Sequence, residues 1–269
     1  MSVSAIIFAV SLPVFDFATN SIAERIAGAD PAVCLPRFAE YPNCFRSAAP
    51  GTMHQAPSTN FWLKDVDFSC VSPWTDESGT LRAGTLISKR HIIFAKHFPL
   101  WKGVRILFVD QAGEVCPCRV AATKALEKCD IMIGSLDYEV TPNIHPAKIL
   151  PEDYEKYIGE GKGLPIVTFN QKEQVFLSEL KSVTTNSVSN VASTNSSWLA
   201  LGGKIVVGDS GDPAFLLIGN KPILLYCLFG GGVGHGPSVF RYRREIQKTM
   251  DELCPGYKLE EFDFNSVGK

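Results

Sequence analysis

The amino-acid sequence predicts an all-β protein of two packed antiparallel β-barrels, with an irregular N-terminal extension and a C-terminal helix. Three observations carry this. From residue 61 onward the chain runs in short β-branched and aromatic stretches separated by turn residues. These stretches fall into two series, divided by a Pro- and Gly-rich break over residues 150–165. Only the end of the chain, residues 240–253, has helical spacing, with Ile246, Met250 and Leu253 on one face. Many short strands in two sets with one late helix argue for stacked β-barrels and against an α/β sheet.

Taken in order, residues 1–23 hold an apolar run from Ala5 to Phe15, followed by Ser21-Ile22-Ala23 in the small-x-small pattern of a signal-peptidase site. A positive n-region is missing, and Pro13 and Asp16 interrupt the run. Two readings stay open, a secretory segment or a buried N-terminal element. The first implies a secreted or periplasmic protein. Residues 24–60 are rich in Pro, Ala and small polar residues without a sustained period, so they are expected to lie outside the fold.

The first barrel is placed at residues 61–150, with strands at 85–87, 91–94, 104–109 and 118–122 and hairpin turns at 77–79 and 110–113. The second barrel, with the terminal helix, is placed at residues 151–269. Its strands are expected at 165–169, 173–177, 198–201, 204–207, 214–218 and 222–229, with the Ser/Thr/Asn-rich tract 182–197 as an exposed loop.

Composition narrows the function. The chain has 269 residues, is 45% hydrophobic and 20% charged, and carries a net charge of -2. No broad basic field is available for a polyanion, and the one basic cluster, residues 241–244 (RYRR), reads as the solvated start of the helix, so no nucleic-acid partner is expected. No apolar stretch approaches the roughly 20 residues of a membrane span. Eight cysteines are present. Cys116-Pro-Cys118 is too tight for a zinc knuckle, so neither metal nor other cofactor is expected. Cys34 and Cys44 could close a small loop, and Cys227 reads as a buried thiol. Oligomeric state is not encoded in any legible pattern.

The chemistry centres on Ser210, set between two glycines and two acids in residues 208–213 (GDSGDP). A serine hydroxyl becomes a nucleophile only when an oriented base takes its proton, so a histidine and an acid must converge on it. Five histidines are available: His54, His91, His97, His145 and His235. His97 follows an apolar strand at the point where that strand breaks.

Residues 84–97 (GTLISKRHIIFAKH) resemble the segment of trypsin-like serine proteases in which a GTLI strand leads to the catalytic histidine of a TAAH turn. Residues 128–133 (KCDIMI) resemble the DIALL segment that opens with the catalytic aspartate, and residues 208–213 resemble the GDSGGP nucleophile loop. The order matches that of the family, with separations of 33 residues from His97 to Asp130 and 80 from Asp130 to Ser210.

The resemblance covers roughly residues 61–253. It implies a chymotrypsin-like fold and a serine endopeptidase acting on a protein or peptide substrate, with Ser210 as nucleophile, His97 as general base and Asp130 orienting the imidazole. It implies an oxyanion hole from the N–H groups of Gly208 and Ser210, and a substrate pocket involving Lys204, Gly230 and Ser238, where Lys204 either favours an acidic side chain or extends outward and leaves the pocket apolar. The alternative is a catalytically silent trypsin-like domain that serves as a binding or scaffold module.

Two departures stand out. Asp212 replaces the second glycine after the nucleophile, adding a carboxylate that could pair with Lys204. Phe98 stands where many secreted relatives have a cysteine. No Ile-Val-Gly-Gly-like start precedes the first barrel, so Asp209 needs a partner other than a freed N-terminus. The protein is expected to be either constitutively competent or controlled by its N-terminal extension.

Overall fold

The computed structural model describes residues 8–39, 55–72 and 82–267, and within that range the chain is mostly β. A helix, α1 (Phe8–Ile26), and a single helical turn, α2 (Pro31–Cys34), precede the first sheet. That sheet comprises β1 (Val71–Ser72), β2 (Gly84–Ser88), β3 (His91–Ala95), β4 (Arg105–Val109), β5 (Val115–Ala125) and β6 (Ile131–Leu136). Its order is β1-β2-β3-β6-β5-β4, antiparallel throughout.

The second sheet begins with β7 (Lys148–Ile149) and, after the turn α3 (Glu155–Ile158), continues through β8 (Pro165–Phe169), β9 (Val175–Val183) and β10 (Ser187–Val191). The turn α4 (Ser196–Leu199) follows, then β11 (Pro213–Ile218), β12 (Lys221–Cys227) and β13 (His235–Pro237). The order is β13-β10-β9-β8-β11-β12-β7, with only the β7–β12 pair parallel. A 3-10 turn (Val239–Tyr242) leads into the terminal helix α5 (Arg243–Leu253). One of the two sheets is nearly closed on itself and the other is open, so the expectation of two closed barrels is met only at the level of two β-sheets.

The strands form where the sequence supplies uninterrupted β-branched and aromatic runs. All five residues of β2, β3 and β8 and all six of β11 are buried, as expected of strands covered on both faces. Phe169 and Phe215 of the second sheet pack with Phe68, which precedes β1, at centroid separations of 5.0, 5.6 and 6.0 Å. Each such pair adds about 1 kcal/mol beyond its buried area. At the other end, α5 buries Ile246 and Met250. The RYRR cluster is ion-paired, with Arg241 to Glu155, Arg243 to Glu152 and Glu261, and Arg244 to Glu152.

Four expectations need correction. Residues before 61 are neither irregular throughout nor outside the fold: α1 buries Ala18 and Ile22, Cys34 and Phe38 are buried, and Pro36 bridges to Gln174. Tract 182–197 holds strand β10 where an exposed loop was expected. Its polar residues satisfy one another, Ser182 with Ser189 at 2.8 Å and Asn190 Nδ2 donating to Ser178 Oγ at 3.1 Å, so polar composition did not preclude pairing.

Residues 198–201 are not a strand, because the Asn195 side chain caps a helical turn by accepting from the N–H groups of Ser197 and Trp198. Nor are residues 204–207: Ile205 alone bridges, to Gly232, while Val206 and Val207 are 61% and 104% exposed. Cys44, His54 and the turn 77–79 lie outside the described residues. Among the described residues no helix is long and apolar enough to cross a membrane.

Candidate active site

Strand pairing brings the first two site residues together. In the antiparallel register of β3 and β6, Ala95 lies opposite Ile131, so the residues just beyond β3 meet the residue just before β6. The His97 N–H donates to Asp130 Oδ1 at 2.8 Å, and His97 Nδ1 lies 2.6 Å from Asp130 Oδ2. An ionised carboxylate can only accept, which assigns the proton to Nδ1 and leaves Nε2 as an acceptor. Ser210 Oγ lies 2.9 Å from that Nε2, across 113 residues of sequence. The His97 side chain is 39% exposed and that of Asp130 16%, so the base faces an open cleft while its acid is shielded.

The nucleophile loop is shaped by glycines with positive φ, Gly208 at 108° and Gly211 at 90°. The Gly211 N–H donates to Leu228 O at 2.9 Å and the Leu228 N–H to Asp212 O at 2.8 Å, tying the loop to the extension of β12. Asp209 is buried, and its carboxylate accepts the N–H groups of Val206 at 2.8 Å and Gln171 at 3.2 Å. The partner that Asp209 requires is thus supplied by two peptide groups of the same fold. Among the described residues the N–H groups of Gly208 and Ser210 donate to no acceptor.

A Cβ on Gly208 would sit 2.8 Å from Gln171 Nε2, in a backbone conformation that side chains rarely adopt. Gly208→Ala is therefore expected to lower kcat by roughly 10²-fold with KM little changed, read by steady-state kinetics on a peptide ester.

Asp212 is fully buried, and among the described residues neither of its carboxylate oxygens has a hydrogen-bond partner. It does not pair with Lys204, which is solvent-exposed and has no ion-pair partner among the described residues. Burial, reinforced by Asp209 and Glu173, pushes the Asp212 carboxyl well above its usual range. Burial likewise raises Glu173 to about 7, against the opposing pull of Arg37. Both groups keep protons in the folded state that the unfolded chain releases, so stability falls as pH rises from about 4 through about 7. Thermal melts are expected to show a lower Tm at about pH 8 than at about pH 5, and Asp212→Asn a flatter dependence.

Of the residues expected to shape a pocket, Gly230 lies nearest the chemistry. It bridges to His235, whose imidazole covers the Gly230 backbone so closely that a Cβ there would fall 2.3 Å from the ring. The Phe229 ring is half exposed and meets His97 edge-on at 5.4 Å and His235 at 5.8 Å, forming a continuous wall beside the base. Ser238 is buried, with its hydroxyl donating to Thr184 O, and is not brought into this group.

Sequence reading missed Phe229, Gln171 and the location of His235. The aromatic residue directly before Gly230 was the available signal. His91 is buried between Ser88 Oγ and Met250 O, and His145 pairs with Asp67, so both are engaged elsewhere. Comparison of the chain with known protein families and with curated proteins finds no match.

Proposed function

We propose that the protein is a serine endopeptidase of the trypsin-like type, built on a chymotrypsin-like pair of β-domains, that cleaves peptide bonds through an acyl-enzyme. The observation that carries the reading is the hydrogen-bonded line from Asp130 Oδ2 to His97 Nδ1, 2.6 Å, and from His97 Nε2 to Ser210 Oγ, 2.9 Å. In the first step Ser210 Oγ bonds to the substrate carbonyl carbon as Nε2 takes the hydroxyl proton, and Asp130 stabilises the resulting imidazolium. The carbonyl oxygen takes up negative charge beside the Gly208 and Ser210 N–H groups.

Collapse breaks the C–N bond, and Nε2 gives its proton to the departing amine. Water then attacks the ester with the same base, releasing the acid and restoring Ser210. Phe229, edge-on to His97, limits rotation of the imidazole away from this line. Gly230 and His235 border the space a substrate side chain would enter, and exposed Val206 and Val207 flank the oxyanion donors in sequence.

A fluorophosphonate probe tests the proposal, because it phosphonylates a serine only where a base and an oxyanion site are already aligned. Labelling of the native protein that Ser210→Ala abolishes is the expected result. Native protein that stays unlabelled would assign the chain to the alternative, a silent domain that binds without cleaving.

A further inference from the structure

The turn that supports Asp209 is itself gripped from an unexpected direction. Residues 170–174 join β8 to β9, and Asn170 Oδ1 closes the turn by accepting the N–H groups of Lys172 at 2.9 Å and Gln174 at 3.0 Å. Within it, the Gln171 N–H reaches Asp209, and the Gln171 side chain lies against Gly208. Glu173, two residues on, has φ of 55°, the only positive value at a non-glycine among the described residues, and its side chain is 2% exposed. A left-handed position normally goes to glycine or asparagine, and a buried carboxylate is costly unless paired.

Arg37 supplies the pairing. Its Nη1 lies 3.3 Å from Glu173 Oε2 and also donates to Val71 O at 3.3 Å, while Nη2 donates to Val109 O at 3.2 Å. The guanidinium is buried where it joins two strands of the first sheet to the turn of the second. The backbone follows the same path, with the Arg37 N–H donating to Glu173 O at 2.9 Å and the Val175 N–H to Leu35 O at 3.0 Å. Residues 35–37 thus act as a short added strand along 173–175.

We propose that Arg37 is a positioning residue for the nucleophile loop, holding Glu173 so that the 170–174 turn keeps the Gln171 N–H on Asp209 and the Gln171 side chain against Gly208. The proposal rests on the reading of Ser210 as nucleophile for its kinetic consequence, but not for its structural one. Without the guanidinium, the Glu173 carboxyl, raised already to about 7, takes up a proton more readily and loses the partner that fixes its Oε2, so only the backbone bridge still holds the turn and it is free to move. Moving the turn withdraws one of the two donors that hold Asp209, one residue from Ser210. A residue that only clasped the sheets would change stability and leave turnover per folded molecule untouched.

The test uses full-length Arg37→Met, Arg37→Lys, Glu173→Ala and the double variant Arg37→Met/Glu173→Gln, each confirmed folded by near-UV circular dichroism. Two quantities are read: steady-state kinetics on a peptide ester, and hydrogen exchange of the Gln171 amide.

Arg37→Met is expected to lose at least tenfold in kcat with KM within about twofold, and to exchange Gln171 at least tenfold faster. The lysine variant keeps the charge and should stay within about threefold of wild type, and the double variant, which removes the same contact once more, should lose no more than Arg37→Met alone. Glu173→Ala keeps the arginine on its two carbonyls but frees the turn, so it should reproduce the Arg37→Met defect and decides the matter if that variant does not fold. Wild-type kcat and Gln171 protection in folded Arg37→Met or Glu173→Ala, or losses that add up in the double variant, would overturn the proposal. If wild type neither turns over substrate nor labels at Ser210, the endopeptidase reading fails by itself, and Gln171 exchange alone decides the role of Arg37.

Discussion

With Ser210 as the proposed nucleophile, Ser210→Ala is expected to lower kcat on a peptide ester by about 10⁶-fold, and adding His97→Ala to cost almost nothing further; this is the largest effect expected of the protein. The reason lies in the 2.9 Å contact between Ser210 Oγ and His97 Nε2. The base has no proton to take once the hydroxyl is gone, so the second deletion removes a group that is already idle. A residual rate some 10³-fold above water should survive in both variants, because the Gly208 and Ser210 N–H donors belong to the backbone and remain. Single-turnover assays on Ser210→Ala, His97→Ala and the double variant check this. Additive losses would show that the two side chains do not act as one unit.

Asp130→Asn is expected to cost about 10⁴-fold in kcat while leaving the fold intact. Asp130 uses both oxygens, one on the His97 N–H and one on Nδ1. An asparagine can keep the first contact through its carbonyl, but it then presents an NH₂ group to Nδ1. That reverses the tautomer, placing the imidazole proton on Nε2, where it faces Ser210 and cannot accept. Kinetics paired with NMR of the His97 ring protons check both halves of the argument. A shift of the proton to Nε2 with kcat reduced less than tenfold would separate tautomer from catalysis.

Local patterns in the sequence pointed to the three residues that the structure brings together, because His97, Asp130 and Ser210 sit on segments whose conformation is set by neighbouring residues. The apolar run before His97 forms β3, the run after Asp130 forms β6, and the glycines around Ser210 supply the positive φ its loop needs. The fold was less legible wherever partners are remote in sequence.

Strand β10 is rich in serine and asparagine, and only its pairing with β9 and β13 makes it a strand. Val206 and Val207 have the composition of a strand, yet the tie from the Val206 N–H to Asp209 turns them into a surface loop. Asp212 read as a charge that could pair with Lys204, whereas burial pushes its carboxyl well above the usual range and leaves it without a hydrogen-bond partner among the described residues. His235 was one of five histidines in the sequence with no pattern to single it out, and only the bridge to Gly230 shows it beside Phe229.

The added strand at residues 35–37 bears on the order in which the molecule assembles. Arg37 and Glu173 are 136 residues apart, so during synthesis the arginine emerges long before its carboxylate exists. A contact of that span pays its loop-closure entropy late, after the hairpin of β8 and β9 has formed. Residues 35–37, although made before the turn they grip, are therefore among the last to be fixed. Refolding should show a slow closing phase in which hydrogen exchange at Arg37 and Gln171 becomes protected together, after the strands themselves.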